Sequence, residues 1–585
     1  MASYGPGDLE GISLGPGEVV SEALERKLGL FSVVIISLSA MIGSGLFLLP
    51  SLAMLEMGGG ESPAGGVWLA YLAASLVVLP GAISKSELST AMPSSGGSYL
   101  YVERTFGPLV GTISGLGLWA NFMLKSAFAL IGFKAYLWVF EEILAPSWEE
   151  GWLSENVNLI ALILLAIIVV INILGVKSIK RVQIPIVMFS TTYLFAICIW
   201  ALLTSDLNWD AATSREAIGG GWSSVATTSA FVFVSYAGVT KIAAVGGEVK
   251  NPERNLPYGI LLSLLISCAL YVTVTLVMAL TVDPLEYMSY DGSKAREDPV
   301  YVFADAVGGK TVANIAAFLA VVTMASMSLA GILASSRFPF AMSRDRLMPE
   351  FLEGIHEKYN TPHWAIIATG LSIAAALTLL DVKDVAKLAS GFKIMIFMVI
   401  NGCVIVLRTS SSSHGWYRPE WKTPWPLYPG IQLFGIFGGA GLLFLMGSKA
   451  VIGATAAIVL GSIIYLGYGR SHSEPRITPW DSAVKKILDP RGEETRRRYA
   501  AFYESDLEGK GSLDLGEFVS AVLLLGYIDK GGANIPDDSI VVSRTKSSQR
   551  DQTVRDIFRS GDENEDGLID IEEFLKMADE IEPQR

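Results

Sequence analysis

The stretch 37-SLSAMIGSGLFLLP-50 lies inside a long apolar run, yet its middle reads Gly43-Ser44-Gly45 and Pro50 follows. Glycine inside a helix costs about 1 kcal/mol against alanine, and proline about 3 kcal/mol. In hydrocarbon, an unpaired backbone amide is costly, so a broken helix survives only where it lines a cavity or a ligand supplies the missing partners. A break exposes N–H groups at the N-terminus of one half-helix, which suits a carboxylate. It exposes carbonyls at the end of the other half, which suits an ammonium group or a sodium ion. Small residues also let helices approach closely. On this stretch alone the two readings stand level.

The surroundings are those of a membrane protein. The 585 residues are 51% hydrophobic and only 17% charged, with mean hydropathy +0.45. Apolar runs near membrane length recur in series, which a soluble core does not show. The first 25 or so residues are polar and glycine-rich, and the first apolar run is too long for a signal peptide, so it reads as span one. Twelve spans are expected, at roughly 31–55, 66–90, 108–140, 158–175, 183–203, 223–246, 258–282, 312–337, 364–380, 388–408, 430–447 and 450–468. The fold class is therefore all-α. Cys198, Cys268 and Cys403 all sit in apolar segments, and neither they nor the four histidines form a disulfide frame or a metal pattern.

The sixth span repeats the anomaly of the first. It reads 230-AFVFVSYAGVTKIAAVGGEVKNPERNLP-257, with Gly238 in its middle. Interrupted helices at equivalent places in two halves mark inverted repeats with a site between them. Spans 1–5 and 6–10 then form a 5+5 repeat, and spans 11 and 12 are an addition.

Loop charge orients the bundle. One set of loops carries Arg26, Lys27, Lys177, Lys180, Arg181, Lys250, Arg254, Arg344, Arg346, Arg418 and Lys422. The other set is poor in bases and includes the acidic 141-EEILAPSWEEGW-152. The positive-inside rule then places both termini in the cytoplasm, in what is expected to be the cell membrane. From residue 480 onward there are 24 acids against 15 bases, so a net −9 of the chain's −13 belongs to a soluble tail. The expected divisions are a segment 1–25, a membrane domain 26–469, a linker 470–495 and a tail domain 496–585.

The residues now reach a family. 41-MIGSGLF-47, 87-ELSTAMPSSGGSYLYVERTFGP-108, 235-SYAG-238 with 248-EVKNPERNLP-257, and 336-SRFPFAMSRDRLMP-349 resemble signatures of the amino acid–polyamine–organocation superfamily, in its order. The resemblance covers about residues 25–468 and implies a secondary amino-acid transporter working by alternating access. It implies that the amides of Ser44 and Gly45, beside Gly43, hold a substrate carboxylate. The carbonyls of Val234, Ser235 and Ala237, beside Gly238, would hold the amine, with Ile42 and Tyr236 flanking. The sequence departs from many relatives in having Thr240, followed by Lys241, where an acid is common two residues after Gly238, and in lacking a lysine in 186-IVMFSTTYLF-195. A sensor that binds an amino acid and signals through the tail is the alternative. No nucleophile–base set or phosphate loop marks an enzyme. The expected partners are an amino acid, a coupling proton or sodium ion, and the bilayer, with no nucleic acid.

Ionisable residues inside spans are functional candidates by default. Lys125 lies near the middle of span three, where it would act as a coupling cation, pair with an acidic substrate, or contact Asn121 and backbone carbonyls. Lys241 and Thr240 are further coupling candidates. Lys85 and Glu87 are expected to snorkel and pair with each other. Lys134 and Lys393 are expected at the interface. Thr323, Ser326 and Ser328 offer hydroxyls on span eight.

The tail carries two calcium-loop patterns. In 562-DENEDGLIDIEE-573, Asp562, Asn564, Asp566, the Leu568 carbonyl, Asp570 and Glu573 fill the ligand positions, and Gly567 makes the turn. In 506-DLEGKGSLDLGE-517, Asp506, Glu508, Ser512, Asp514 and Glu517 form a weaker set, because Lys510 stands where an oxygen belongs. Leu513 and Ile569 are expected to pair the loops, with calcium as the bound ion and transport as the activity it modulates.

Overall fold

The structure, a computed structural model, describes residues 28–93, 97–144, 152–175, 179–289, 294–356, 358–359, 361–410, 417–473, 478–488, 493–506, 510–525, 556–562, 564 and 566–581. Residues 1–25, Arg26, Lys27, Lys177, most of the 141–152 loop and Glu508 lie outside the described residues, as do the side chains of Lys180, Arg181 and Thr240.

Span one is broken as its glycines imply. Leu30–Ser39 (α1) stops at Ala40. After an extended Gly43, a four-residue helix Ser44–Phe47 (α2) begins, and Leu49–Met57 (α3) follows. Pro50 sits in the first turn of α3, where its missing N–H would have had no helical partner anyway. Proline here starts a helix and does not break one.

Further helices of the bundle are Val67–Ala91 (α4), the short polar Gly97–Phe106 (α5), Pro108–Ala135 (α6), Val157–Leu174 (α7), Ile179–Thr204 (α8) and Trp222–Val232 (α9), then Pro252–Thr281 (α10), Pro299–Arg344 (α11), His363–Leu379 (α12), Val382–Thr409 (α13), Gly430–Leu445 (α14) and Ser448–Ile464 (α15). Among the described residues, ten helices are long and apolar enough to cross a membrane, and α1 and α12 are shorter apolar ones. Together they occupy the twelve expected places.

Two elements differ from expectation. The sixth span does not break at Gly238 alone: from Phe233 to Glu248 the chain runs as a 16-residue 3₁₀ segment after α9. Such long tight winding is uncommon and marks hinges. The eighth span starts early, at Pro299, and kinks at Gly309, whose φ of 74° favours glycine. The expected 312–337 is its part beyond the kink.

Helix α6 is the hub. Its buried side chains run from Gly111 to Phe133, and α11, α13, α15 and α12 pack around it. Helix α7 shows the opposite pattern. Only Ala161, Leu165, Ile168 and Asn172 are buried, at helical spacing, and the leucine and isoleucine surface beyond that stripe faces the lipid region.

The tail comprises Pro479–Leu488 (α16), Glu493–Ser505 (α17), Ser512–Leu513 (β1), Leu515–Leu525 (α18), Ile569–Asp570 (β2) and Ile571–Ile581 (α19). Its own core gathers Phe502, Leu513, Phe518, Phe558, Ile569 and Phe574. Helix α16 packs on α5, α13 and α17, and Trp480 lies 5.5 Å from Phe106 between ring centres.

Candidate functional site

The two interruptions cross at the centre of the bundle. A Cβ at Gly45 would come within 2.8 Å of Ser235 Oγ, and one at Gly238 within 2.7 Å of the Ala40 carbonyl carbon. Gly43 lies against Met327 of α11, whose sulfur accepts from Ser44 Oγ at 3.7 Å. The glycines thus serve both readings open in the sequence: they admit a neighbour, and they sit at breaks. Ser44 and Gly45 head α2, so their amides have no carbonyl one turn back inside the helix. Leu46 and Phe47 already bond to the Gly43 carbonyl at 3.0 and 2.9 Å. Ile42, Ser44, Val234, Ser235, Tyr236 and Ala237 converge here, all buried.

Tyrosine hydroxyls cap the loose carbonyls. Tyr71 on α4 donates to the Gly45 carbonyl at 2.9 Å. Tyr271 on α10 donates to the Met41 carbonyl at 2.7 Å and to the Ser235 carbonyl at 3.1 Å. Tyr236 donates to the Tyr71 carbonyl at 2.9 Å. The Tyr271 ring lies 5.3 Å from Tyr71 and 5.1 Å from Tyr236. On the other side, Ser390 of α13 accepts from the Val234 amide and donates to the Phe231 carbonyl, both at 3.0 Å. Sequence reasoning misses Tyr71, Tyr271 and Ser390. Each is one of several polar residues in a largely apolar helix, and the only signal is that a buried hydroxyl needs a partner.

Lys125 is buried, and its ammonium has no hydrogen-bond partner among the described residues. The contact to Asn121 is not made: Asn121 donates through its amide nitrogen to the Ala389 carbonyl at 2.7 Å, and its Oδ1, the atom that could accept from Lys125, has no partner among the described residues. Lys241 is half-buried in the 3₁₀ segment. Thr323 shares a hydrogen bond with Ser190 at 2.8 Å, Ser326 offers its carbonyl to Gln183, and Ser328 Oγ is buried without a partner among the described residues.

Two expectations are corrected. Lys85 and Glu87 neither snorkel nor pair with each other. Both are buried, and the Glu87 carboxylate takes Arg408 through two bonds of 2.7 Å, Tyr417 at 2.7 Å, and the Thr423 amide and hydroxyl at 2.8 Å each. The guanidinium fork matches a carboxylate as an ammonium cannot. Lys393 is not interfacial either. It is fully buried, 4.6 Å above the Phe397 ring and 5.8 Å from that of Phe122. Lys134 does sit at an exposed end, donating to Asn158 Oδ1 at 2.9 Å.

In the tail, β1 and β2 pair antiparallel, Leu513 opposite Ile569 and Ser512 opposite Asp570. The second loop is wound by its own acids: Asp562 accepts from the Asp566 and Gly567 amides, Asp566 from Leu568, and Asp570 from Glu572 and Glu573. Asn564 Oδ1 also accepts from Asp566. Gly567 takes a φ of 82°. In the first loop Asp506 likewise accepts from Lys510 and Gly511, and Asp514 and Glu517 accept from each other's amides. No group of three metal-binding side chains is drawn together among the described residues. The all-oxygen donor set and the glycine turn are those a hard cation requires.

An all-α polytopic membrane protein with two crossed, interrupted helices is the class this architecture defines. Residues 28–468 match the amino acid permease family and residues 496–578 match an EF-hand domain pair. The chain belongs to the amino acid permease family and is a multi-pass integral membrane protein. It is 29% identical to the branched-chain amino acid permease BcaP of Bacillus subtilis, over 77% of this chain and 95% of that protein. It is 26% identical to the serine/threonine exchanger SteT of the same bacterium, covering 73% and 92%. It is also 26% identical to that organism's methylthioribose transporter, covering 77% and 95%.

Proposed function

We propose that this protein is a secondary active transporter of amino acids, a symporter or exchanger, whose tail makes transport responsive to cytoplasmic calcium. The observation that carries the reading is the crossing of the two breaks, Gly45 on Ser235 and Gly238 on Ala40. The Ser44 and Gly45 amides take the α-carboxylate. The Val234, Ser235 and Ala237 carbonyls take the amine, with the Tyr271 hydroxyl sharing the Ser235 carbonyl until an ammonium replaces it. Ile42 and Tyr236 flank the pocket, and Gly43 and Gly238 allow the two backbones to approach. The names of two relatives, a branched-chain amino acid permease and a serine/threonine exchanger, support amino acids as the substrate class. Residues 26–469 form the transport unit, joined through the linker 470–495 to the EF-hand domain 496–585, with both termini cytoplasmic in the cell membrane.

Asp562, Asn564, Asp566, Leu568, Asp570 and Glu573 would hold calcium. Asp506, Ser512, Asp514 and Glu517, with Glu508 outside the described residues, would hold it weakly. Bound calcium supplies a fixed charge that draws these oxygens together. Helix α16, packed against the EF-hand helix α17 and the bundle helices α5 and α13, is the route by which such a change reaches the bundle.

The test is uptake of a labelled amino-acid panel into proteoliposomes, with and without calcium on the tail side. Saturable uptake that responds to calcium is expected. Binding without uptake in both conditions would favour an amino-acid sensor. Gly45→Leu should abolish binding in an inserted protein, and unchanged affinity would refute the site.

A further inference from the structure

Lys125 and Lys241, at the centre of the bundle, have no carboxylate partner among the described residues. Lys125 is 5% exposed and its ammonium has no partner among the described residues. Lys241 lies close enough to repel it, and Arg337 of α11 acts on Lys241 in turn. Lys393 feels both Lys125 and Lys85. Among the described residues, Glu87, Glu56 and Asp298 are committed to other cations, Arg408, Lys387 and Arg296 respectively. Neither Lys125 nor Lys241 forms an ion pair among the described residues. Like charges held close together inside a bundle repel, and a low dielectric strengthens that repulsion.

Packing places these two lysines near the span-one break. Ser126, beside Lys125, lies against Gly331 of α11. Met327, one turn earlier on α11, is the residue that Ser44 Oγ reaches. That separation is about 6 Å along the axis. Lys241 stands one turn beyond Gly238, which touches Ala40 and Met41. The backbone that carries each lysine thus meets the elements around the span-one break within about one helical turn, so a molecule whose first carboxylate sits on the Ser44 and Gly45 amides lies between two cation-bearing segments.

We propose that Lys125, with Lys241 beside it, forms a second anion subsite that takes the side-chain carboxylate of an acidic amino acid. The proposal rests on the amino-acid site described above and names its substrate class. It uses charge the backbone site leaves unused: the half-helix N-terminus answers the α-carboxylate, and the lysines answer a second one. Asn121, held by Ala389, fixes the face of α6 that carries Lys125.

The experiment is calorimetric titration of the full-length purified protein with L-glutamate, L-aspartate, L-glutamine and L-leucine, in chloride and in chloride-free buffer. The wild type is expected to bind L-glutamate or L-aspartate at least tenfold more tightly than L-glutamine, in either buffer. Lys125→Gln should erase that preference, and Lys125→Arg should retain it. The wild-type ratio alone tests the idea if the glutamine variant fails to fold. Binding of L-leucine or L-glutamine with no preference for the acids would overturn the acidic substrate and leave the amino-acid site standing. Chloride-dependent binding of the neutral ligands, lost in Lys125→Gln, would overturn it in favour of a free anion. No binding of any of the four, with Gly45→Leu indistinguishable from wild type, would overturn the amino-acid site as well.

Discussion

At the scale of the residue, Glu87 is the clearest case of a charge held by geometry. It is fully buried and receives five hydrogen bonds, from Arg408, Tyr417 and Thr423. Breaking one partner of a buried pair typically costs about 3–5 kcal/mol, because the other charge is stranded. Glu87→Gln should therefore lower the thermal unfolding midpoint in detergent markedly, and Glu87→Gln with Arg408→Met should recover part of it. Glu297, in the loop before α11, is held above the usual carboxylate range by burial, with Lys134 pulling it back and Asp298 pushing it further up. The folded state thus binds its proton more tightly than the unfolded chain. The favourable contribution is complete below the ordinary carboxylate range and is lost as pH rises through the raised value. Wild type should lose stability relative to Glu297→Gln as pH rises from acid to neutral; parallel melting curves across pH would contradict this.

Elements matter most where they fail to be regular. The 3₁₀ segment Phe233–Glu248 leaves the end of α9 without ordinary helical bonding, and Ser390 of α13 supplies both a donor and an acceptor there. Ser390→Ala should cost about 1–3 kcal/mol, the usual penalty for stranding buried polar groups. It should also weaken amino-acid binding, read by calorimetry beside the melting curve, because Val234 neighbours the proposed amine carbonyls. Tyr271→Phe releases the Met41 and Ser235 carbonyls at once. Loss of stability without any change in substrate affinity would show that these carbonyls do not meet the ligand.

For the whole molecule the question is how the tail speaks to the bundle. Trp480 on α16 packs against Phe106, and α16 touches both α13 and the EF-hand helix α17. Glu573→Gln should weaken calcium binding tenfold or more by calorimetry on the full chain, since the last ligand of the loop binds through both oxygens. Trp480→Ala should leave calcium affinity intact and remove the calcium response of uptake. A normal response in Trp480→Ala would mean the tail acts by another route.

The local sequence by itself determined the membrane character, the twelve places for spans, the two interruptions and the pairing of the calcium loops. Each is a pattern of neighbours: apolar length, glycine inside a span, ligands at fixed spacing. Tertiary structure alone decided that Gly45 meets Ser235, that Tyr71, Tyr271 and Ser390 cap the breaks, and that Glu87 belongs to Arg408 and not to Lys85. Those partners lie from tens to hundreds of residues apart, and each polar one is among several in its helix, whose spacing does not say which face it shares or with whom. Lys393 shows the same limit. Its position along α13 suggested an interface, but burial depends on the helices packed around it, and Phe122 and Phe397 enclose it.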